Sequence, residues 1–226
     1  YLLLGRGLLT SDDARFVGSY SLGGWEAVAS ALRWLPGQQP SFPQHTTSRG
    51  ARVPGLLHLS FRDLNGRLRD LLFADAPGEW FQRWAINASA SEAAGAQWIS
   101  DHADIVLLVA DRQALSGEAL GLARNAFQLL ATRVGAERRD RHVALVWTKA
   151  DVRIDPEMER QIKRAVTNVM PDAAEFSVSV FAEDGGNTGR GFRELFNWVR
   201  IAKRPGVVVP LASATGNDPL FVFGRR

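Results

Sequence analysis

Asp75 and Gly78 close the run RLRDLLFADAPGEWF (67–81), an apolar stretch that stops at an acid, a proline and a glycine. A carboxylate at a strand tip can hold Mg²⁺, usually through water because that ion dehydrates reluctantly. A glycine just beyond it lets a backbone N–H approach a terminal phosphate with no Cβ in the way. The competing reading is a strand-ending turn in which Pro77 and Gly78 supply geometry alone. Glu79 follows at once, where a carboxylate could act as a base on water or be the first-turn acid of a helix EWFQRWAI.

A second group, Thr148, Lys149 and Asp151, ends the run RHVALVWTKAD (141–151). The Asp151 carboxylate can accept two parallel N–H bonds from the N1 and exocyclic amine of guanine, a donor pair that adenine lacks on that edge. Charge-assisted bidentate pairing is stronger than neutral pairing, and the aliphatic stem of Lys149 can lie along the purine face. A polar loop ahead of a helix cap at Asp155 is the alternative. The third group is Ser177-Val178-Ser179-Val180, where a backbone N–H near Ser179 or Val180 could reach the purine O6. The signal is weak, and serines alternating on a half-exposed strand are the simpler explanation.

Strands and helices must position these residues. ADIVLLVAD (103–111), RHVALVWTKAD (141–151) and EFSVSV (175–180) read as buried strands. Between them, SGEALGLARNAFQLLATRVG predicts a helix capped by Ser116 and stopped at Gly135. DPEMERQIKRAVTNVM predicts another, with Asp155 as cap and Pro156 at its first position. GFRELFNWVRIAK gathers Phe192, Leu195, Phe196 and Val199 on one face. Such alternation argues for right-handed crossovers and a parallel sheet. Upstream, GLLHLSFRD (55–63) and RLRDLLFADA (67–76) flank Asn65-Gly66, a strong hairpin dipeptide, so these two strands are expected to be antiparallel. GGWEAVASALRWLPG predicts a helix, followed by a Pro-rich polar loop from 38 to 54. Trp80, Phe81 and Trp84 are expected in the core or at a partner surface.

Composition excludes several classes. The 226 residues carry no Cys, which rules out disulfides and thiolate metal sites. No apolar run reaches the roughly 18 residues needed to span a bilayer, and the expected location is cytoplasmic. The net charge is only +3, and all basic residues but Lys149, Lys163 and Lys203 are Arg, which inflates the pI to 9.8 without creating a large field at neutral pH. Basic residues are scattered, so nucleic acid is not an expected partner.

An Asp-x-x-Gly, a Thr-Lys-x-Asp and a Ser-Val loop, in order at successive strand ends, resemble the GTPase branch of the P-loop NTPases over about residues 20 to 203. The longer pattern FPQHTTSRGARVPGLLHLSFRD…RDLLFADAPGEWFQRWA…ADIVLLVAD…VALVWTKADV…EFSVSV looks like the bacterial double-GTPase type. The resemblance implies an α/β, Ras-like fold: a three-layer, mostly parallel sheet with one antiparallel edge hairpin. It implies GTP or GDP and Mg²⁺ as ligands, with Asp75 and either Thr46 or Thr47 on the metal. It also implies a second GTPase-like partner and a role in bacterial conflict or regulation.

The sequence departs from that family in three places. Thr148 stands where Asn is usual, and Glu79 where relatives often have Gln. No Lys precedes Lys149, so residues 1–148 contain no G-x-x-x-x-G-K-[ST] phosphate loop. With Tyr1 in place of Met, the expectation is a GTPase-like domain over 1–203, truncated just after its first, central strand and phosphate loop, with a tail or linker at 204–226. Such a piece alone is expected to bind nucleotide poorly. The expected function is a guanine-nucleotide switch that hydrolyses GTP in its intact form; the alternative is a degenerate scaffold for a second, active GTPase.

Overall fold

The hairpin at Asn65-Gly66 forms because Gly66 takes φ +75° and the Asp63 carboxylate accepts the N–H groups of Asn65 and Arg67 at 3.0 and 2.9 Å. The Arg67 bond is the main reason that the Asp63 carboxyl is held below its ordinary range. In this computed structural model residues 14–31, 55–179 and 190–202 are described, with Ala27–Ala31, Asp75 and Arg190 described by backbone alone. The turn joins β2 (Gly55–Asp63) to β3 (Leu68–Asp75) in antiparallel register, Gly55 opposite Asp75 and Ser60 opposite Asp70. A strand with no sequence signal, β1 (Ala14–Gly18), adds antiparallel to the other edge of β2.

β4 (Ile105–Asp111), β5 (His142–Thr148) and β6 (Ala174–Ser177) form a parallel sheet in that order. The expected single, mostly parallel sheet is therefore two three-stranded sheets, β1-β2-β3 and β4-β5-β6, with no ladder between them among the described residues. The α/β class holds. The connecting helices are α1 (Leu22–Ala31), α2 (Gly78–Ile86), α3 (Ala94–His102), α4 (Leu120–Ala136), α5 (Pro156–Thr167) and α6 (Arg190–Ile201).

β5 is buried on both faces, which is why its residues read as a continuous apolar run. Val143, Leu145 and Trp147 face a cluster built from Trp84 of α2, Ala96 of α3, Phe127 and Ala131 of α4, and Ile162 and Val166 of α5. Ala144 and Val146 face the opposite way, toward Leu195, Phe196 and Val199 of α6 and Leu59 and Phe61 of β2. The layers are thus helices α2–α5, the parallel sheet, and then α6 together with the inner face of the antiparallel sheet.

Helix boundaries follow local chemistry. Asp155 caps α5 by accepting the Glu157 N–H at 2.8 Å, with Pro156 next and Glu157 and Glu159 in the first turn, as the sequence predicts. The predicted cap at Ser116 is corrected: α4 begins at Leu120, because the Ser116 hydroxyl donates to the Gln113 carbonyl at 3.2 Å and holds a turn instead. Trp84 is core as expected, its indole N–H donating to Gln97 Oε1 at 2.7 Å.

Candidate functional site

The C-terminal ends of β4, β5 and β6 lie side by side, since Asp111 pairs in register with Thr148, and Trp147 with Ser177. Ligands of open α/β sheets bind beyond this end of the strands. Two further backbone bonds continue the junction past the strands: Val178 N–H donates to Trp147 C=O at 2.8 Å, and Ala150 N–H to Val178 C=O at 3.1 Å. The second and third motifs therefore form one structure. The Ser179 hydroxyl donates to Asp151 Oδ1, fixing the orientation of that carboxylate.

Lys149 has φ +52°, a left-handed conformation that costs a non-glycine residue on the order of 1–2 kcal/mol. Its ammonium donates to Asp111 Oδ2 at 2.8 Å and to Gln113 Oε1 at 2.7 Å. Asp111 and Gln113 are neighbours of Lys149 that the sequence reading missed. The available signal was Asp111 ending its strand in an acid, as Asp75 ends β3; its partner lies 38 residues away, beyond any spacing rule.

Acceptor capacity suits a guanine edge. Each carboxylate oxygen has two acceptor positions, so the bond from Ser179 leaves Asp151 able to take an N1–H and an amine N–H together. Val178 N–H is already committed to Trp147, which removes it as a donor to a purine O6; Val180 lies outside the described residues.

Gly78 and Glu79 belong to the other half of the chain, following β3, and their helix α2 packs Trp84 into the same cluster as Leu108 and Trp147. Gly78 is exposed, lacks a positive φ, and a Cβ built on it would meet nothing within 4 Å. Neither backbone conformation nor internal packing demands glycine there. Glu79 is exposed in the first turn of α2. The expected metal residues are the side chain of Asp75, together with Thr46 and Thr47, and all three lie outside the described side chains. Carboxylate and hydroxyl are the hard oxygen donors that Mg²⁺ takes. Among the described residues there is no cluster of three or more His, Cys, Asp or Glu groups that could hold a metal, and no helix long and apolar enough to cross a membrane.

Comparison with curated proteins finds no match to this chain. The family model described as Double-GTPase 2 matches residues 1–199, a span that contains both sheets, the Asp75–Gly78 turn, and the joined tips at Asp111, Lys149, Asp151 and Ser179. The chain belongs to the Double-GTPase 2 family, a P-loop GTPase-related domain.

Proposed function

We propose that this domain binds a guanine nucleotide across its strand tips and, in its intact form, acts as a switch that hydrolyses GTP to GDP. The observation that carries the reading is the Ser179–Asp151 bond: a carboxylate 28 residues away in sequence is oriented by a hydroxyl just past the end of β6, beside the left-handed Lys149. Asp151 then reads the guanine N1–H and amine, and the stem of Lys149 supports the purine face. Thr148 continues the strand that presents both. Gly78, whose open surroundings explain no internal need for glycine, gives a backbone N–H access to a terminal phosphate.

Asp75 and one of Thr46 or Thr47 would hold Mg²⁺, which supplies charge neutralisation at the phosphates when bound. Glu79 is placed in the same turn region and would orient the attacking water. The segments 38–54 and 77–90, the second of which holds α2, are expected to respond to the nucleotide. The finer fold reading is Ras-like, with a further strand between β3 and β4 and the GTPase-like unit spanning 1–203. It is supported by the antiparallel β2–β3 hairpin standing ahead of parallel strands that alternate with helices.

Asp151→Asn in the intact protein tests base reading. Xanthine carries a carbonyl where guanine has its amine, so an Asn amide should accept the swap. The preference for GDP over XDP is expected to fall by a factor of about ten or more. Unchanged guanine preference overturns the assignment.

The second reading is a degenerate GTPase fold that serves as scaffold or partner for a second, active GTPase. GTP turnover by the intact protein in isolation separates the two.

A further inference from the structure

We infer that the three residues after β4, Asp111-Arg112-Gln113, are positioning residues that hold the Thr148–Asp151 loop in its base-reading shape before nucleotide arrives. This rests on the guanine-site reading above and adds to it a part that touches no ligand.

All three residues bond the loop or its continuation. Asp111 divides its carboxylate, Oδ1 accepting the Gln113 N–H at 2.9 Å and Oδ2 accepting the Lys149 ammonium at 2.8 Å. Gln113, fixed by that first bond, offers Oε1 to the same ammonium at 2.7 Å. Arg112 N–H donates to Thr148 C=O at 3.3 Å, and its guanidinium lies 5.4 Å from the Trp147 ring centroid, with Val152 C=O and Glu159 as partners at 3.5 and 3.7 Å. A lysine stem with a free head samples many rotamers and loses them when a purine lies against it. With the head anchored at two acceptors and the backbone already left-handed, that ordering is complete in the free protein. The anchor also explains why a residue unsuited to φ +52° is held there.

The test is a double-mutant cycle on GDP affinity in the intact protein, using Asp111→Ala, Lys149→Ala and the combination, with Gln113→Ala alongside. Releasing one rotamer-rich side chain costs about two- to tenfold in affinity, so Asp111→Ala is expected to weaken GDP binding by that factor. Because Asp111 acts through Lys149, the combined variant is expected to bind no more weakly than Lys149→Ala alone. The ratio of GDP to XDP affinity is expected to stay constant in Asp111→Ala, since Asp151 still reads the base. Additive losses, or GDP affinity within twofold of the parent in Asp111→Ala, overturn the inference. So does an affinity loss matched by an equal loss of stability without nucleotide. Asp151→Asn runs in parallel: if it leaves base preference unmoved, the guanine reading fails first and this inference with it.

Discussion

Replacing Lys149 with glycine separates a residue kept for a ligand from one kept for the fold. In the free protein, glycine at φ +52° relieves roughly 1–2 kcal/mol of left-handed strain. Against that stands the lost ion pair with Asp111. The two side chains are 40% and 37% exposed, so solvent screening leaves the pair worth about 0.2–1 kcal/mol. The greater freedom of glycine in the unfolded chain costs a further ~0.4–1 kcal/mol. These contributions nearly cancel, and stability is expected to stay within about 1 kcal/mol of the parent, read as the midpoint of urea unfolding without nucleotide. Binding behaves differently. A purine resting on the lysine stem covers about two methylenes, at ~0.8 kcal/mol each, so GDP affinity is expected to fall about tenfold. Titration calorimetry measures it. A variant destabilised by more than about 2 kcal/mol with unchanged GDP affinity refutes the reasoning, because Lys149 would then be serving the fold.

Arg141, only 2% exposed, donates to the carbonyls of Ser100, Glu137 and Arg138 and so closes the C-terminal ends of α3 and α4 together. Arg141→Met strands those acceptors and is expected to cost about 3 kcal/mol in urea unfolding, with Arg141→Lys recovering only part because three donors on one nitrogen cannot match the planar fork. Gly191→Ala would drive a Cβ into the Ser177 carbonyl, so melting temperature and GDP affinity are expected to fall together as the end of β6 shifts. Asp172 is held down to about 2 from an ordinary 3.8, chiefly by hydrogen bonds from Arg138. A depressed carboxylate contributes stability above 3.8 that disappears as pH falls through about 2. Asp172 is largely exposed, so Asp172→Asn is expected to cost under about 1 kcal/mol at neutral pH, the difference vanishing in acid denaturation below pH ~2.

Much of the parallel half was legible because its signals are local. Residues 142–148 are apolar without a break since β5 is covered on both faces, and Asp155-Pro156 announces α5 by itself. The hairpin was equally open to reading through Asn65-Gly66. β1 was not: ARFVG is short, carries Arg15, and forms a strand only because the edge of β2 offers it partners. The division into two sheets depends on which strands meet, a long-range outcome that no window reveals. At the site, Thr148, Lys149, Asp151 and Ser179 were each visible as a residue type at a strand end. The bonds that make them one structure, Ser179 to Asp151 and Lys149 to Asp111, cross 28 and 38 residues. Gln113 had no signal at all, since its bond to Lys149 exists only once the fold brings the two together.

The inner face of α6 touches both halves, through Ala144 and Val146 on one side and Leu59 and Phe61 on the other. Among the described residues the two halves therefore meet through packed side chains. Packed side chains, unlike a backbone ladder, can rearrange by small sliding of one element over another. A shift of β2 against α6 would be felt at Ala144 and Val146, in the strand that ends at Thr148.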